Sequence, residues 1–90
     1  PVQVVRRAPR RPFWQTRFDA RTRELTAVAS LATLNVPDQL RAHLRGSFLV
    51  GAERREIRAV LEIAALLVPK ALPESLLLLG QVATRFDPRR

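Results

Sequence analysis

Apolar residues in the middle of the chain recur at helical intervals. Leu25, Val28, Ala29 and Ala32 form one such series, and Leu40, Leu44, Ser47 and Phe48 form a second. Ile57, Val60, Leu61, Ala64 and Val68 fall at i, i+3, i+4, i+7 and i+11, which places them on one face of a helix. Leu66 and Leu67 add apolar residues to that helix's last turns, predicting burial all round. The run Leu76 to Leu79 is continuous and predicts a fourth helix buried on more than one face.

Helix-boundary residues punctuate these blocks. Asp19 is a good N-cap for the first helix, which Asn35 and Pro37 close. Pro37 then suits the first turn of the second helix, where a missing N–H costs nothing. That helix runs to about Val50, and Gly51 is a natural stop. The third runs from about Glu53 to Val68, with Glu53 and Glu56 near its positive end. Pro69 ends it. Pro73 opens the fourth, with Glu74 in its first turn, and Gly80 is expected to admit a close helix neighbour. Asp87-Pro88 closes the ordered part.

Ninety residues make one domain. A chain this short buries a modest share of its surface, so its stability is marginal without added core. It has no cysteine, which removes disulfides and thiolate metal sites as supports. Association with other copies is the remaining route. The aromatics are few, namely Phe13, Trp14, Phe18, Phe48 and Phe86, and Leu, Ala and Val dominate. That mixture favours packed helices over sheets. No apolar run approaches the roughly 20 residues of a membrane helix. The basic start lacks the apolar middle of a secretory signal. A soluble cytoplasmic protein without membrane partners is the expectation.

The net charge of +8 is uneven. Residues 1–23 hold seven arginines against one aspartate, whereas residues 24–68 hold five basic and five acidic groups. The excess therefore belongs to an N-terminal arm, residues 1–18, in which Pro9 and Pro12 bar a continuous helix. Phe13, Trp14 and Phe18 read there as docking groups. The arm can pack on a neighbouring subunit, stay solvated, or bind nucleic acid through phosphates and stacking. The balanced charge of the domain makes nucleic acid the weakest of these readings. The helical domain is placed at 19–86, with 87–90 as a tail.

No GxGxxG, P-loop, HExxH or Ser-His-Asp pattern is present. One histidine and no cysteine argue against a zinc or iron site. His43 lies between Leu40 and Ser47 on an apolar face, where it is either a satisfied interior or interface histidine, or an acid–base group. Glu24 is either an acid favouring the helix dipole and pairing with Arg21 or Arg23, or part of a site. Arg45 can pair with another helix or bind an anion. Arg41 can face solvent or do the same. Gln39 can donate an amide hydrogen bond. Arg54, Arg55 and Arg58 form a charged face with Glu53, Glu56 and Glu62, including the i, i+4 pair Arg58–Glu62.

The segment RELTAVASLATLNVPDQLRAHLRGSFLVGAERREIRAVLEIAALL resembles the carboxymuconolactone decarboxylase family. The signals are Arg23-Glu24-Leu25, His43-Leu44-Arg45-Gly46, Gly51, Glu56-Ile57 and Val60-Leu61, in the family's order and spacing. The resemblance runs from about Arg21 to Val82 and excludes the arm. It implies an all-α fold, a small antiparallel helical bundle of the alkylhydroperoxidase D-like type. It also implies homo-oligomers built from dimers, often hexamers.

Alkylhydroperoxidase D-like sites resemble a Glu, Cys, Cys, His series, which here reads Glu24, Val36, Gln39 and His43. Peroxide reduction at such a site needs an attacking thiolate and a resolving thiol. A chain without cysteine does not supply them. The decarboxylase branch needs no cysteine. The resemblance implies a lyase acting on a small lactone or carboxylic acid in aromatic catabolism, with no metal or organic cofactor. His43 and Glu24 are then the catalytic pair, and Arg45, Arg41 and Gln39 the substrate ligands. Family members read something like HLRGALNNG where this chain reads HLRGSFLVG, so Leu49 and Val50 replace two amides. The alternative function is a non-catalytic oligomeric relative, a ligand-binding or interaction module.

Overall fold

The structure, a computed structural model, describes residues 19–89. The basic arm and the uses expected of its aromatics lie outside the described residues. Four α-helices occupy the described chain: α1 (Ala20–Leu34), α2 (Pro37–Leu49), α3 (Arg54–Ala64) and α4 (Leu72–Phe86). A short 3₁₀ turn, Pro69–Ala71, precedes α4. No strand occurs among the described residues, so the fold is all-α. No described helix is long and apolar enough to cross a membrane.

The helix ends follow the boundary residues. Asp19 caps α1 by accepting the Thr22 backbone N–H at 2.8 Å. That N–H, then the Thr22 hydroxyl, hold the Asp19 carboxyl below its ordinary value, with further help from Arg21 and Arg23. Asn35 ends α1 in the left-handed conformation, φ 55°, which asparagine tolerates better than most residues. Pro37 opens α2, and Gly51 (φ 94°) turns the chain toward α3. A reciprocal capping box starts α3: the Glu53 side chain accepts the Glu56 N–H, and the Glu56 side chain accepts the Glu53 N–H. Glu56 also accepts Arg21 at 2.7 Å, tying the starts of α1 and α3 together.

α1 and α4 each pack on both α2 and α3, while α2 and α3 meet far less. The core lies between them. Val28 and Ala32 come from α1, Leu40, Leu44 and Phe48 from α2, Ile57, Leu61 and Ala64 from α3, and Leu78, Leu79, Val82 and Ala83 from α4. The predicted faces of the first three helices are thus the buried ones. Leu25 and Val60 pack partly against this core.

Three expectations need correcting. α3 stops at Ala64, not Val68, because Leu66 and Leu67 donate to carbonyls only three residues back and tighten the chain into turns. Their side chains leave the core and are 81% exposed, the reverse of burial all round. Of the run Leu76 to Leu79 in α4 only Leu78 and Leu79 are buried, with Leu77 at 63% exposure, since one helix face meets the core. Gly80 admits no close backbone: a Cβ there would meet only the Arg54 guanidinium at 3.7 Å. Beyond α4, Asp87 is buried. Arg89 reaches back to the Gly51 and Ala52 carbonyls, both at 3.3 Å.

Candidate active site

Two helices bring the lone imidazole and a carboxylate together. Glu24 lies in the second turn of α1, and His43 lies midway along α2. His43 Nδ1 and Glu24 Oε2 are 2.8 Å apart. The side chains are 42% and 28% exposed, so the pair sits at the surface of the chain with its outer edge open to solvent. The alternative of Glu24 pairing with Arg21 or Arg23 does not occur, because Arg21 goes to Glu56. The alternative of His43 in a dry interior is likewise not what the fold produces.

The contact fixes the chemistry of the ring. A carboxylate only accepts hydrogen bonds. Nδ1 therefore carries the proton in this contact, and Nε2 takes no part in it. Behind the ring, the buried Ser47 hydroxyl donates to the His43 carbonyl at 2.8 Å, satisfying a polar atom the core would otherwise isolate.

Gly46 makes the contact possible. A Cβ at that position would lie 3.0 Å from Glu24 Cδ and Oε2 and 3.1 Å from Oε1. The carboxylate thus occupies the space a side chain would fill on α2, one turn beyond His43. Sequence reasoning treated Gly46 as a motif letter only. The usable signal was a glycine inside a helix, which weakens it and so asks for a packing reason.

Gln39, one turn before His43, is exposed in the first turn of α2. Val36, at the other former cysteine position, is half-buried just before the helix. Arg41 and Arg45 go elsewhere. Residues two apart on a helix of about 3.6 residues per turn point to opposite sides. Both arginines accordingly line a groove between α2 and α4, which includes neither His43 nor Glu24. Arg45 stacks there on Phe86, its guanidinium carbon 5.0 Å from the ring centre. Among the described residues no three His, Asp or Glu side chains gather in a way that could hold a metal ion.

The model of the carboxymuconolactone decarboxylase family matches residues 8–79 of the chain. That match begins inside the segment read as an arm and takes in α1, α2, α3 and half of α4. No curated protein and no solved structure matches.

Proposed function

The chain belongs to the carboxymuconolactone decarboxylase family, and from that premise we propose that it is a cofactor-free lyase acting on a small lactone or carboxylic acid. The observation that carries the proposal is the 2.8 Å contact between His43 and Glu24 at an open surface. In the reaction, the bond between the substrate carbon and its carboxylate breaks, and carbon dioxide leaves. The electron pair stays on the substrate as dienolate charge. His43 Nε2, having first taken up a proton from solvent while Glu24 holds Nδ1–H, gives that proton to carbon, and the ring returns to its neutral Nδ1–H form. Glu24 holds the ring at the angle this transfer requires. Gln39, on the same flank of α2, donates its amide to the substrate.

Arg41 and Arg45 lie on the far flank, away from a substrate held at His43 of the same chain. The chain assembles, on this reading, as an oligomer of the family's dimer-based type. Leu34, Leu49, Ile63, Leu66 and Leu67 are between 65% and 81% exposed, apolar side chains that an interface in such an oligomer would cover. The test is turnover of lactone carboxylates by wild type and His43→Ala. General acid–base catalysis contributes about 10²- to 10⁴-fold, and a loss of that size is expected. Equal rates would remove His43 from the mechanism.

The second reading, a non-catalytic oligomeric relative, draws on Leu49 and Val50. Both are exposed where the family's amides would offer polar groups. Unmeasurable turnover of every lactone carboxylate, with ligand binding retained, would favour it.

A further inference from the structure

The groove between α2 and α4 holds a second concentration of chemistry, and its volume is about 270 Å³. Its floor is apolar, made by Ala42, Val82 and the Phe86 ring. Arg41, Arg45 and Arg85 rise around it, against the single acid Asp38. The Arg45 and Arg85 guanidinium carbons lie 5.0 and 6.0 Å from the Phe86 ring centre, within the range of cation–π attraction. None of the ion pairs among the described residues includes any of the three arginines. The other described arginines mostly differ: Arg21, Arg55, Arg58 and Arg89 each have a carboxylate within 4.0 Å. Here three cations gather around a ring with one carboxylate, Asp38, among the lining residues and no ion pair between it and any of them.

We propose that this groove binds a small planar dianion, in chemical class an aromatic dicarboxylate, independently of the His43–Glu24 pair. Three guanidiniums less one carboxylate leave two formal positive charges, which match two carboxylates. A guanidinium offers a carboxylate two parallel N–H donors, and stacking on Phe86 holds that fork in place without using its donors. The apolar floor favours a ring over an inorganic anion. The volume sits just under the roughly 300–1,000 Å³ of clefts that take drug-sized ligands, which sets the ligand at the small end. The inference does not rest on the decarboxylase reading and survives if that reading fails.

The test titrates the full ¹⁵N-labelled chain with benzene-1,3-dicarboxylate at low salt, using inorganic phosphate and benzamide as comparators. Saturable shifts confined to α2 and α4 are expected, with benzamide inactive and phosphate weaker. Arg45→Gln and Arg85→Gln should each weaken binding roughly tenfold, as befits a lost hydrogen bond to a charged group. Arg41→Gln repeats the test on a residue without a ring contact. Phe86→Leu should narrow the preference over phosphate, and His43→Ala should leave affinity unchanged. Shifts spread without saturation over all arginines, or arginine variants that bind as wild type does, would overturn the proposal. Phosphate binding as tightly as the dicarboxylate would overturn the aromatic assignment. A His43→Ala loss equal to that of Arg45→Gln would overturn the independence of the two sites.

Discussion

Replacing Gly46 with alanine adds one methyl group to the molecule and should separate stability from function. The new Cβ lands 3.0 Å from Glu24 Cδ and Oε2, where non-bonded carbons settle at about 3.5–4.0 Å. The carboxyl group must therefore retreat by roughly half an ångström. Its bond to His43 Nδ1 starts at 2.8 Å. Hydrogen bonds to nitrogen fade beyond about 3.2 Å and with poor alignment, so the contact is lost or badly weakened. A partly exposed pair of this kind contributes at most about 1 kcal/mol. Against that loss, alanine is better than glycine inside a helix by about 0.5–1 kcal/mol.

The two terms nearly cancel. Urea unfolding of Gly46→Ala should give a stability within about 0.5 kcal/mol of wild type, the residue left when these opposing contributions are subtracted. The imidazole should behave differently. Its ¹⁵N spectrum should show the Nδ1–H tautomer giving way to a mixture, because nothing then selects one nitrogen. Turnover should fall at least about tenfold, part of what an oriented acid–base group supplies. A variant that keeps both the tautomer and the wild-type rate would refute the reading of Gly46 as space for Glu24. So would a stability loss of about 2 kcal/mol, which would mean the methyl group strikes backbone instead of a movable carboxyl.

Other expected outcomes are simpler. Leu44 is fully buried, so Leu44→Ala should cost about 2–5 kcal/mol, read by chemical denaturation, and in so short a chain that abolishes cooperative folding. The Asp19 carboxyl is held below its ordinary value of 3.8 by the Thr22 N–H. Its contribution is therefore complete above that value and lost as pH falls through the lower folded one. Asp19→Asn should keep most of the cap at neutral pH while removing this acid-side step from a plot of Tm against pH. Leu66→Ser with Leu67→Ser should leave core stability unchanged and lower the association state seen by sedimentation. An unchanged oligomer would take those residues out of the interface.

Much of the fold was legible because the helix ends obey local rules. Asp19, Asn35, Pro37 and the Glu53/Glu56 box act within a few residues of themselves, so their effect is written where they stand. Leu66, Leu67 and Leu77 were misread for the opposite reason. Hydrophobicity states what a residue prefers, but burial depends on a partner surface, and within one chain α3 and the fourth helix each have a single face to cover. The exposure of those leucines thus follows from the packing of whole helices, which the local pattern does not encode.

The candidate site divides the same way. Glu24 and His43 are nineteen residues apart, and only the packing of α1 on α2 makes them neighbours. The spacing that joined them in a motif also suggested Arg45 as a third member. Helix geometry alone argues against that, since a residue two positions on must face away. The residue that completes the pair is the one with no side chain. Gly46 lets a carboxylate lie against the α2 backbone and meet the ring from the side, leaving Nε2 free. A site built on an absent side chain has no titratable or polar marker in the sequence. What betrays it is the tolerated weakness of a helix that carries glycine where alanine would hold it better. If that weakness serves the acid–base pair, alanine at position 46 must leave the fold intact and disable the ring. Loss of both together would mean the glycine serves packing alone.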